Sequence, residues 1–83
     1  MANKFEDALR AQRVRYDEVD EARTAWRYSL NVWARDKNPA NEEAHRKASE
    51  ALDVAVARLN AARAELESSR TELVRELTVR ARA

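Results

Sequence analysis

No glycine occurs anywhere in these 83 residues, no cysteine either, and there is a single proline. Tight turns, bulges and phosphate-cradling loops draw on glycine for φ > 0 and for close backbone approach. A chain without it is poorly suited to β-structure and cannot carry a P-loop or a dinucleotide-binding fingerprint. Without cysteine there is no disulfide and no thiolate metal site, and the lone His45 cannot build a zinc site by itself. No apolar run approaches the ~18–20 residues needed to span a bilayer. The segment Met1-Ala2-Asn3-Lys4-Phe5 lacks the apolar core of a signal peptide. Together these absences point to a cytoplasmic protein with no cofactor and no membrane partner. Charge of one sign is missing too: 16 basic residues face 15 acidic ones. That balance lacks the basic excess of a dedicated polyanion binder.

What is present is Ala, Glu, Leu and Arg, the composition of long helices and coiled coils. Asn3, with Glu6 three residues on, reads as a helix N-cap and its reciprocal acid. Apolar residues then recur at steps of three and four: Phe5, Leu9, Tyr16, Val19, Trp26, Leu30 and Trp33. Gln12 and Arg23 fill the two longer gaps. This is the 3.5-residue period of a coiled-coil seam. Gln12 and Arg23 read as snorkelling or edge residues, with a role in fixing register as the sharper alternative.

The one break is Asp36-Lys37-Asn38-Pro39. Pro39 pushes Asn38 towards the extended conformation of an N-cap and itself fits the first helical position. A connection this short joins antiparallel neighbours. The second helix has a stricter seam: Leu52, Leu59, Leu66 and Leu73 fall seven apart, interleaved with Ala48, Ala55, Ala62 and Ser69. Folding at the turn opposes residues whose numbers sum to about 78, which sets aromatic layers of helix one against Ala and Leu layers of helix two. His45 should then stack on Trp33. The expected pairs on the charged faces are Glu42–Arg46, Glu43–Lys47, Glu6–Arg10 and Glu76–Arg80, with Glu72–Arg75 one position closer.

The fold class is therefore all-α: an antiparallel two-helix, coiled-coil-like hairpin forming a single domain over residues 1–83. Helix one covers about 3–35, the turn 36–38, and helix two about 39–82. Helix two outlasts helix one by about two turns, so a tip carrying Leu77 projects beyond it. A chain this small buries only about 60–65% of its unfolded surface. Apolar residues also lie outside the seam, and a lone pair of helices has no third element to cover them. Dimerisation into a four-helix bundle would do so. The candidate oligomer or partner interface is Val14, Tyr28, Val32, Val54, Ala57, Ala61 and Leu77.

For function this predicts a small non-enzymatic interaction or assembly protein: a homo-oligomer, dimer favoured, that binds a protein partner. Adaptor, assembly factor or inhibitor, including one encoded by a phage, all fit. The alternative is a nucleic-acid-binding accessory protein, using arginines gathered towards the open end: Arg10, Arg13, Arg75, Arg80 and Arg82. A small all-helical enzyme is the minor alternative. Helical chorismate mutases bind a dicarboxylate with inward Arg and Lys, but no motif here resembles theirs. No nucleophile–base constellation is visible. Length and shape are also those of the WXG-type helical hairpins, whose Trp-x-Gly turn a glycine-free chain does not have.

Overall fold

The computed structural model describes residues 3–82. Met1 and Ala2, at the start of the segment weighed as a signal peptide, and Ala83, the end of the expected domain, lie outside them. The described residues form two antiparallel helices, α1 (Lys4–Arg35) and α2 (Pro39–Arg82), in a rod of 68 × 17 × 14 Å. The all-α helical hairpin expected from the sequence is the architecture found. Neither helix is long and apolar enough to cross a membrane.

Each helix starts on an asparagine. Asn3, extended at φ −96° and ψ 170°, accepts the Glu6 N–H on Oδ1 at 2.8 Å. Asn38 does the same for Asn41 N–H at 2.8 Å, with Pro39 at the first helical position. Helices often end on a left-handed glycine, and this chain has none. Instead α1 stops at an extended Asp36 (φ −145°, ψ 100°), whose N–H still reaches the Val32 carbonyl at 3.1 Å. No described non-glycine residue has a positive φ. Side chains hold the fold-back closed. Asn41 Nδ2 donates to the Asp36 carbonyl at 2.8 Å, and Asn38 Nδ2 donates to the Asp36 carboxylate at 3.0 Å.

The seam of α2 is the Leu–Ala line read from the sequence. Ala55, Leu59 and Ser69 are buried; Ala48, Leu52, Ala62, Leu66 and Leu73 are half-buried. On α1 the innermost line differs from the expected one. Phe5, Gln12, Val19, Trp26 and Trp33 keep a heptad along it, but between them it runs through Ala8, Arg15, Ala22 and Ser29. Leu9 and Leu30 share half-burial at its edge, whereas Tyr16 and Arg23 are exposed. Ala22 takes the inner place and packs on the central cluster of Val19, Ala55 and Leu59, while Arg23, read from the sequence as a snorkelling or edge residue, is exposed. The reason is physical: a methyl lets the backbones approach, and an inward guanidinium would have to shed water without a partner.

The expected register holds in the cross-helix contacts. Lys4 meets Glu72 (3.9 Å), Glu18 meets Arg58 (3.7 Å), Tyr16 meets Arg63 and Trp26 meets Ser49. His45 stacks on Trp33 with centroids 6.0 Å apart and planes 12° from parallel, while Lys37 Nζ sits 5.2 Å above the same indole. Since Lys4 is level with Glu72, the last turns of α2 have no α1 beside them, and Leu77 and Val79 there are exposed.

Candidate interaction surface

The two flanks of the seam are built differently. On one flank the helices are stitched together by their own side chains. Trp26 Nε1–H donates to Ser49 Oγ at 3.0 Å. Further along, Arg63 donates to the Tyr16 hydroxyl at 2.8 Å and lies 5.6 Å over its ring. These long amphipathic side chains cover the apolar edge beneath them.

The opposite flank is open. Two shallow grooves run along it and meet at Arg58. Towards the closed end the groove is lined by Glu18, Glu21, Ala22, Ala51, Val54 and Ala55. Towards the open end it is lined by Ala8, Ala11, Arg15, Ala61, Ala62 and Glu65. Where they meet, Glu18 accepts from Arg15 at 2.6 Å and lies 3.7 Å from Arg58 across the helices. A stripe of mostly small side chains with one ion trio at its centre is the result.

Five of the seven expected interface residues lie along this flank. Val54 and Ala61 line the grooves. Val14, Tyr28 and Val32 continue the α1 stripe through Ala11, Glu18, Glu21 and Ala25 at alternating steps of three and four, the spacing of one helix face. Tyr28 is 71% exposed, Val14 55% and Val54 51%, while Val32 is half-buried. The other two are elsewhere. Ala57 is exposed and falls on the back of α2, turned from α1 by the helical period. Leu77 is 54% exposed on the overhanging tip and is heptad-spaced from Arg63 on the stitched flank.

Arg10, Arg13, Arg75, Arg80 and Arg82 are all exposed, but the register strings them along the rod over about 30 Å at 1.5 Å per residue. Arg10 contacts Asp7 at 3.5 Å rather than the expected Glu6. Other expected pairs also differ: Glu76 and Arg80 form no ion pair among the described residues, and the rest choose different partners. Arg46 binds both Glu43 and Glu50, and Glu72 reaches Lys4 on the other helix instead of Arg75. The Arg46 guanidinium holds the Glu43 carboxyl below the usual carboxylate range, and Glu43 raises Arg46 in return.

Sequence reasoning missed the ion trio and the part played by Ser29 and Ser49. Both serines sit beside seam positions and face aromatic residues across the hairpin, a signal visible only once the register is set. No family model, curated protein or solved structure matches the chain.

Proposed function

We propose that the chain is a non-enzymatic, cytoplasmic interaction and assembly protein. Two hairpins close into a four-helix bundle, and the assembled bundle binds a protein partner as an adaptor, assembly factor or inhibitor. The observation that carries this reading is exposed area. The hairpin leaves 6599 Å² accessible, whereas a compact monomer of 9.6 kDa exposes about 5,100 Å² by the usual scaling. The surplus of about 1,500 Å² exceeds the roughly 800 Å² that each partner contributes to a standard stable interface. The same hairpin exposes Val14, Tyr28 and Val54 along its open flank, and clustered exposed apolar side chains mark interaction surfaces.

Molar mass by light scattering over a dilution series, with helicity followed in parallel, tests the reading. A two-chain mass that falls on dilution together with helicity is expected. A fully helical species of single-chain mass at every concentration would overturn it.

A second reading, an accessory nucleic-acid binder, is favoured by one observation. Arg13, Arg75, Arg80 and Arg82 are exposed and have no carboxylate within ion-pair distance among the described residues. Binding to duplex and single strands at low and physiological salt tests it. Affinity that falls steeply with salt supports this reading, and no binding at micromolar protein removes it.

A further inference from the structure

We infer that the occupant of the open flank is a second copy of this chain, with both closed ends at the same end of the bundle. In this arrangement α1 of each hairpin lies on α2 of the other. The inference rests on the dimer reading above and adds its geometry.

Two hairpins can meet face to face across this flank with a two-fold axis along the rod or across it. An axis along the rod places each level of α1 on the same level of the partner's α2, so the contacts within one chain reveal what would meet between chains. Glu18 and Arg58 are level, 3.7 Å apart, so Glu18 would face the partner's Arg58 and Arg58 the partner's Glu18. Arg15 and Glu65 share one groove, as do Glu21 and Arg58, so these too would meet with opposite sign. Shape agrees with charge. The open-end groove sets Val14 beside Ala61 and Ala62. Val14 of α1 would thus cover small side chains of the partner's α2.

An axis across the rod lays α1 on α1 and α2 on α2. Centred on the groove, it sets Glu18 against its own copy and Arg58 against its own, and like charges at an interface oppose pairing.

Cross-linking decides between the two, since a chain without cysteine acquires only the thiols given to it. Ala11, Ala25 and Ala51 are exposed, and single variants Ala11→Cys, Ala25→Cys and Ala51→Cys can be mixed in pairs and oxidised. Ala25→Cys mixed with Ala51→Cys should shift from single-chain to two-chain mass on a non-reducing gel, and neither variant should do so alone. Val14→Cys with Ala61→Cys is a second pair expected to behave the same way. Cross-linking of Ala25→Cys with Ala11→Cys instead would overturn the geometry in favour of the axis across the rod. A two-chain mass in light scattering with no cross-link in any pair would move the interface to another face. A single-chain mass would instead remove the dimer reading itself.

Discussion

Trp26 and His45 reach each other's backbone through a serine apiece. Trp26 Nε1–H donates to Ser49 Oγ, whose own hydrogen goes to the His45 carbonyl at 3.0 Å. Ser29 donates to the Trp26 carbonyl at 2.8 Å, which leaves its oxygen to accept from His45 Nδ1 at 2.9 Å. A hydroxyl has one hydrogen, so with that hydrogen on the Trp26 carbonyl the bond to Ser29 is made by the tautomer of His45 that donates from Nδ1. The two arms close a ring of hydrogen bonds between the helices, over aromatic rings 5.6 Å apart. In a rod with so little buried apolar surface, polar contacts of this kind supply much of the specificity at the closed end.

Removing either arm should therefore be measurable. Ser49→Ala leaves the part-buried Trp26 N–H without its acceptor, and a loss of about 1 kcal/mol is expected. Ser29→Ala does the same to His45. Urea unfolding followed by circular dichroism gives both values. In a Trp26→Phe background, Ser49→Ala should cost clearly less, because the donor is already gone. Equal costs in the two backgrounds would show that the bond contributes nothing.

The fold-back gives a second prediction. Asn38→Ala removes the acceptor for Asn41 N–H and the donor to Asp36 together, so about 1 kcal/mol or somewhat more should be lost. Asn38→Ser should retain most of the stability, because a serine hydroxyl can take the capping bond. Asn3→Ala deletes a cap of the same geometry at a helix end that nothing encloses, so its effect on global unfolding should be smaller. If Asn3→Ala proved as costly as Asn38→Ala, the turn would have no special part in holding the hairpin shut.

Much of this architecture was legible in the sequence. Asn38-Pro39, the heptad Leu52–Leu73 and the alternating Ala residues determine the turn, the second seam and the register, because each rests on local chemistry or strict spacing. The first seam was legible only in part. Following the largest apolar side chains leads through Leu9 and Tyr16, with Arg23 filling the gap beyond them, whereas the more buried line lies one position back at Ala8, Arg15 and Ala22. At a 3.5-residue period both lines satisfy the pattern, and only the packing of the partner helix chooses between them. Partner choice on the charged faces was not legible either. Arg46 could pair with acids on either side of it, and the rotamer decides.

The choice of seam is testable in its own right. Ala22→Leu forces extra volume between the helices beside Val19 and Ala55, which should destabilise by about 1–3 kcal/mol. Arg23→Ala alters an exposed position and should stay within about 0.5 kcal/mol. Thermal or urea unfolding of the two variants side by side suffices. The reverse order would restore Arg23 to the seam.

The Glu43–Arg46 pair predicts a pH dependence confined to acid. The folded carboxyl titrates below its ordinary value because Arg46 donates to it. Its stabilising contribution is therefore fully present above the unfolded carboxylate pKa and is lost as pH falls through the lowered folded value. Both groups are fully exposed, so the effect is small and local to the start of α2. Glu43→Gln and the parent should differ in helicity or unfolding midpoint at neutral pH and converge in strong acid. A difference that persisted there would have some other origin.

Charge placed on the open flank provides the last prediction, because it separates that flank from the overhanging tip. Tyr28 and Val54 are both more than half exposed in one hairpin, so Tyr28→Glu and Val54→Glu disturb no packing within it. Within a bundle the same carboxylates would be stripped of much of their water, position 54 beside Glu18 and Glu21 as well as Arg58, and burying a carboxylate is costly. Both variants should therefore shift the mass from two chains towards one at concentrations where the parent is paired. Leu77→Glu acts as the contrast. Leu77 lies past the last level of α1 and on the other flank, so this change should leave the mass as it is. A tip that serves as the contact would reverse the result, with Leu77→Glu dissociating the assembly and the two flank variants remaining paired.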